Sequence, residues 1–210
     1  MSGIVGSKFN IRGSGLVASY GTDGQHMLSA GAGKSNVFET VAGGGGKVGQ
    51  VVQGELLTRY TSTTNDTWLS PGLSVAITPA ATSSKIWINV QLGCIGGSSQ
   101  SESIGMRIDR TISGGATTYV GRGDQGSHST VGWRGWSLGE EFSAGNDDKL
   151  GYSASTAYLD SPSTTSATTY KLEMVNASTG GFALNGVSNT GVSNEYPTTA
   201  SFITAWEILA

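Results

Sequence analysis

The stretch Ile86-Trp87-Ile88-Asn89-Val90-Gln91-Leu92 carries the clearest structural signal in this chain. In its second half, apolar and polar residues alternate with a period of two, which is the pattern of a half-buried β-strand. Successive side chains of a strand point to opposite faces, so this pattern puts one face on a core and leaves the other outside. The stretch therefore predicts a strand of a sheet that is covered on one side.

Further strand-like segments follow one another from Lys47 onward, beginning with an apolar-rich segment at residues 48–57. Turn signals such as Ser70-Pro71-Gly72, Gly96-Gly97-Ser98-Ser99 and Ser161-Pro162 separate them. Eight to ten short strands with frequent turns and no long helix predict an all-β fold, an antiparallel β-sandwich of the jelly-roll type. The remaining candidate strands are residues 73–77, 104–112, 117–120, 131–142, 152–159, 169–176, 182–187 and 202–209.

The composition predicts an ordered protein with a neutral, polar surface. The chain has 33 Gly among 210 residues and only 13% charged residues, where about 25% is usual, yet 37% of its residues are hydrophobic. The net charge of −3 and the lack of a basic cluster argue against nucleic acid as a partner, because that affinity depends on Lys and Arg. No apolar run predicts a signal peptide or a membrane span, so we expect synthesis in the cytoplasm and no membrane contact.

The pattern changes near residue 47, which predicts two parts. Residues 1–46 are rich in Gly and too poor in large apolar side chains for a core of their own. We interpret them as an extended arm that becomes ordered against another chain, ending in a Gly43–Gly46 linker; a purely flexible linker is the alternative. Residues 47–210 form the β-sandwich domain.

Catalytic and metal-binding patterns are weak throughout the chain. Cys94 is the sole cysteine, and His26 and His128 lie far apart, so no cysteine or paired-histidine metal site is predicted. The acid pairs Glu140-Glu141 and Asp147-Asp148 are adjacent, and adjacent residues of a strand face opposite ways. A glycan-cleaving pair of carboxyls from separate strands stays open as a minor alternative. We predict no enzyme, no cofactor and no metal.

The segment Trp133-Arg134-Gly135-Trp136 is the most prominent mixture of aromatic and polar residues. On a regular strand Trp133 and Trp136 face opposite ways, unless Gly135 marks a bulge that realigns them. At least one of the two is expected in the core. Exposed aromatic rings beside Arg134 suit stacking on sugar rings or packing on a partner, so these residues are the candidate glycan or partner contact.

Several segments, in order along most of residues 21–210, resemble a known family. YLDSPSTTSATTYKL at 158–172 and PTTASFITAWEI at 197–208 resemble the C-terminal domain of bacteriophage fibre proteins, especially those of marine phages. KVGQVVQ at 47–53 and LSVAITPAATSSKI at 73–86 resemble the opening of the same domain. GTDGQHMLSAGAGK at 21–34 is similar to the connector that precedes such domains.

The resemblance implies a homotrimer of β-sandwich domains, with residues 1–46 anchoring each chain to a capsid or tail protein and the sandwich projecting outward. It implies no catalytic residues. Only 46 residues precede the domain here, so we expect a short, capsid-attached decoration protein or head fibre located on the virion. A tail-attached receptor-binding fibre that recognises host surface polysaccharide is the main alternative. A free carbohydrate-binding module and an enzyme are minor ones.

Overall fold

The computed structural model describes residues 10–11, 15–16, 25–28, 37–39, 47–97, 104–123, 135–138, 151–176, 180–187 and 198–210. Within these residues every regular element is a β-strand, and none is a helix. The predicted all-β fold class is confirmed. The chain forms two compact units, Met1–Gly46 and Lys47–Ala210, and each is described by itself.

The first unit contains two small antiparallel ladders in its described part. Strand β1 (Asn10–Ile11) pairs with β2 (Gly15–Leu16), and β3 (His26–Leu28) pairs with β4 (Val37–Glu39). The sequence predicted no strand in this unit, because ladders of two or three residues are too short to show a hydrophobic period. The anchoring role of residues 1–46 stays a prediction.

The second unit is built from longer strands, most of which the alternating pattern predicted. They are β5 (Val48–Leu56), β6 (Tyr60–Ser62), β7 (Ser74–Ile77), β8 (Lys85–Gly97), β9 (Ile104–Ile112), β10 (Thr117–Val120), β11 (Trp136–Leu138), β12 (Tyr152–Asp160), β13 (Thr168–Asn176), β14 (Phe182–Leu184) and β15 (Ser201–Ile208).

These strands form two antiparallel sheets. Sheet 1 has the order β5, β15, β8, β12. Strand β8 is longer than β15, and its last residues pair with the short strand β14, which in turn pairs with β6. Sheet 2 has the order β7, β13, β9, β10. Strand β11 pairs with the first residues of β9, on the same side as β10, which pairs with the later ones.

The connectivity of the eight main strands is that of a jelly roll. Counted along the chain, sheet 1 holds the first, eighth, third and sixth strands, and sheet 2 holds the second, seventh, fourth and fifth. Consecutive strands therefore alternate between the sheets or wind back beside earlier ones, which is the double Greek key of this fold. The predicted sandwich of the jelly-roll type is confirmed.

The core fills the space between the sheets with the inward-facing residues of both. Ile88 and Val90 of β8 meet Ile108 of β9 and Leu172 of β13, and all four are at most 1% exposed. Burying one such side chain contributes about 1.5–3 kcal/mol. The alternation within each strand thus stabilises the sandwich and leaves every second side chain on an outer face.

A buried polar group also joins the two sheets. Asp160, at the end of β12 in sheet 1, accepts two hydrogen bonds from Arg110 Nη1 at 2.8 and 2.9 Å and one from the Tyr170 hydroxyl at 2.7 Å. Arg110 and Tyr170 belong to β9 and β13 of sheet 2. Burial and the neighbouring Asp160 carboxylate raise the pKa of Tyr170, so its hydroxyl stays a donor at neutral pH.

The predicted turn Gly96-Gly97-Ser98-Ser99 is wrong at its two glycines, and its two serines lie outside the described residues. Gly96 and Gly97 lie inside β8 and pair with Ala183 and Phe182 of β14. Glycine is a common turn residue, but here both glycines are fully covered parts of a central strand. The short strand β6, whose strand partner among the described residues is β14, was not predicted.

Candidate partner-binding face

The outer face of sheet 1 carries an unusual set of side chains for a surface exposed to water. In β8, Ile88 and Val90 point to the core, so Trp87, Asn89 and Gln91 point outward. In β15, Ile203 and Ala205 are buried, and the alternate residues Phe202, Thr204 and Trp206 lie on the outer face, each half-buried. Two tryptophans therefore lie outside the core on adjacent strands.

The strand register places four apolar residues side by side across the sheet. Trp206 lies opposite Val51 of β5 on one side and Trp87 of β8 on the other, and Trp87 lies opposite Leu159 of β12. Directly opposed side chains of neighbouring strands have Cβ atoms about 4.5–5.5 Å apart, close enough to contact. We call Val51, Trp206, Trp87 and Leu159 the apolar row.

The ends of the apolar row are open to solvent. Val51 is 55% exposed and Leu159 is 41% exposed, while both tryptophans are half-buried. Single exposed apolar residues are normal on protein surfaces, but a contiguous strip across four strands is characteristic of a binding surface. The row crosses the four main strands of sheet 1 from one edge to the other.

A polar depression adjoins the apolar row. The next positions along the strands align Gln53, Thr204 and Asn89, and the positions after them align Phe202 with Gln91. These side chains and Trp206 line a shallow cavity of about 300 Å³. Its lining combines aromatic faces with amide and hydroxyl groups and contains no charged side chain.

The outer face of sheet 2 is chemically different. Its Arg107 guanidinium lies between two aromatic rings, 4.1 Å from the centre of Trp68 and 3.8 Å from the centre of Tyr119. Arg107 also donates to Glu173 Oε2 at 2.6 and 2.9 Å. This cation is held by stacking and by a charge-assisted bond within the chain.

Two further charges complete that cluster. Lys171 Nζ lies 3.3 Å from Asp109 Oδ2 and 3.2 Å from Glu173 Oε1. Burial first, and then the nearby Glu173 carboxylate, raise the pKa of Asp109 to about 6, while Lys171 acts in the opposite direction. The two cations of this cluster, Arg107 and Lys171, are thus paired with carboxylates of the same sheet, whereas the outer face of sheet 1 has no comparable network among its described residues.

The predicted contact residues are only partly described. Trp133 and Arg134 lie outside the described residues. Trp136 begins β11 opposite Met106, and its half-buried ring packs against the core. Its Nε1 atom is buried and has no hydrogen-bond partner among the described residues. The prediction that these three residues contact a glycan or a partner stays a prediction.

Most residues considered for catalysis or metal binding also lie outside the described residues. These are His128 and the acid pairs at 140–141 and 147–148. Cys94 is half-buried, and burial raises the pKa of its thiol, which is the wrong direction for a nucleophile. Among the described residues, no group of three or more His, Cys, Asp or Glu side chains is arranged to hold a metal ion. The same part of the chain has no helix with the length and apolar character needed to cross a membrane.

Sequence reasoning missed Trp87 and Trp206 as surface residues, although a signal existed. Each tryptophan stands at a position of the alternation that otherwise holds polar residues, because Trp87 is two residues from Asn89 and Trp206 is two residues from Thr204. Both therefore face away from the core-forming isoleucines of their strands. A large aromatic residue in the outward phase of an otherwise regular strand indicates a covered or binding face. No protein-family model matches this chain, and no curated protein matches it in sequence.

Proposed function

We propose that this protein is a structural subunit of a bacteriophage particle, a short homotrimeric fibre or decoration protein that the unit 1–46 attaches to the capsid. The observation that carries the proposal is the apolar row, Val51, Trp206, Trp87 and Leu159, which lies on the outer face of sheet 1 with both ends exposed. A jelly roll alone does not specify a function, since enzymes, lectins and capsid proteins share it. The resemblance to phage fibre domains supports the virion assignment.

The oligomeric state is the first test. Light scattering of the purified chain at micromolar concentration should give the mass of three 21.5 kDa chains. A folded monomer under these conditions contradicts the trimer, and with it the proposed role as a trimeric fibre or decoration protein. Copy number in purified particles then separates the locations, because hundreds of copies indicate the capsid and a few dozen or fewer indicate the tail.

The anchoring role has its own test. A chain that begins at Lys47 retains the whole second unit and should remain folded, but it should no longer be incorporated into particles. Incorporation at the level of the full-length chain would assign attachment to the sandwich instead of residues 1–46.

A tail-attached fibre that binds host polysaccharide is the second candidate function. The depression favours it, because aromatic faces and uncharged amides such as Asn89 and Gln91 suit a neutral, hydroxyl-rich ligand. One such site would have about millimolar affinity, and the many copies on a particle would raise the avidity. Its test compares the adsorption of particles that carry Trp133→Ala or Gln91→Ala with that of wild type. Unchanged adsorption by both variants contradicts it.

A further inference from the structure

We infer that the apolar row is the surface through which copies of this chain pack against one another, so that Val51, Trp206, Trp87 and Leu159 lie at the subunit interface. This inference rests on the proposed homotrimer and assigns it a surface. The occupant of the row is a second copy of the same domain.

The size of the face fits a subunit contact. Four strands spaced about 4.8 Å apart, each about eight residues long at about 3.3 Å per residue, give a flat face on the order of 500 Å². Projecting side chains increase the accessible area of such a face, and a stable contact buries about 800 Å² per partner. The flat area alone, before side-chain relief is added, is more than half of that value, and it is much larger than a sugar ring requires.

The side-chain types favour protein over polysaccharide in the apolar row. Sugar rings stack on aromatic rings and bond to polar groups, but Val51 and Leu159 at the ends of the row offer neither. Together with the tryptophans they form a continuous strip with an apolar side chain from each of four strands. Such a strip resembles the apolar centre of a subunit interface, in which aromatic residues are enriched and charged residues are depleted.

Charge also permits self-association. On the strands of this face, the outward-facing charged residues are Lys85 and Glu55, which lie at different ends of the sheet and have opposite signs. A second copy therefore meets no concentration of like charge at the row. On sheet 2, by contrast, Arg107 and Lys171 are already paired with carboxylates of the same chain, so that face does not need a partner.

The test introduces a charge at each end of the row. Val51→Lys and Leu159→Lys alter side chains that are 55% and 41% exposed, so neither lysine is placed in the hydrophobic core of its own chain. Leu57→Lys is the matched control, because Leu57 is 60% exposed, lies just beyond β5 and is outside the row. Mass is measured by light scattering over a hundredfold dilution series, with circular dichroism to verify the fold.

We expect the trimer of both row variants to dissociate at a concentration at least tenfold higher than that of wild type and of Leu57→Lys. Retention of the wild-type trimer by both row variants overturns the inference, while the proposed trimer itself stands. A monomeric wild type contradicts the proposed function directly. If both variants stay trimeric but lose the retardation that wild type shows in a gel containing dextran, the face binds glycan, which also overturns the inference.

Discussion

Replacement of Asp160 by Asn should be one of the most destabilising conservative changes in this protein. Asp160 is 4% exposed and accepts three hydrogen bonds from the opposite sheet, two from Arg110 Nη1 and one from Tyr170. The amide keeps the shape but removes the negative charge, and its NH₂ group faces donors instead of accepting from them. Arg110 would then remain between the sheets without its anion.

The magnitude follows from the burial of both partners. Removal of one member of a buried ion pair costs about 3–5 kcal/mol, whereas exposed pairs contribute about 0–1 kcal/mol. The Arg110 side chain is 17% exposed, which allows some hydration, so we expect about 3 kcal/mol. Tyr170→Phe removes one hydrogen bond to a charged acceptor and leaves both Arg110 bonds in place, so we expect about 1.5 kcal/mol. The two costs should not add, because both changes act on the same carboxylate.

The assay is urea unfolding at pH 7 and at one fixed protein concentration, since oligomerisation makes apparent stability depend on concentration. Asp66→Asn is the control, because it makes the same chemical change at an exposed loop carboxylate and should alter the unfolding free energy by less than about 0.5 kcal/mol. An Asp160→Asn variant no less stable than Asp66→Asn would refute the claim that this ion pair fastens the two sheets.

Two further predictions follow from the packing. The pKa of Asp109 is raised from 3.8 to about 6, so its contribution to stability is greatest in acid and is lost as the pH rises through this range. Asp109→Asn should therefore gain about 1–3 kcal/mol relative to wild type between pH 4 and pH 7.5, and a difference that does not change with pH would contradict this reasoning. A Cβ at Gly54 of β5 would overlap the carbonyl oxygen of Ser74 in β7, so Gly54→Ala should cost at least about 1–3 kcal/mol, whereas Gly123→Ala, with nothing near its Cβ, should be almost neutral in thermal unfolding.

Local pattern was enough to predict most strands of the second unit and their fold class. The alternation in β8 and β15 identifies which side chains face the core, because a strand has a fixed period of two. The pattern misled only locally: Gly96 indicated a turn but lies in a strand, because pairing with β14 outweighs the preference of glycine for turns. The short strand β6 has three residues and depends on its neighbour β14, so its own sequence contains too little signal.

The apolar row could not be predicted in the same way, because it depends on which strands are neighbours and in which register. Trp87 and Trp206 are 119 positions apart, and nothing local to either residue shows that they meet. In a jelly roll the third strand pairs with the eighth, and a register shift of one residue would turn Trp206 into the core. Trp133 and Trp136 were predicted as contact residues because they are close in sequence. In this fold a surface patch of a sheet combines one residue from each of several strands that are distant in sequence, as the apolar row does. An outward-facing tryptophan in each of two alternating strands is therefore a signal for a candidate binding face in a β-sandwich, and the strand order shows whether the two residues are neighbours.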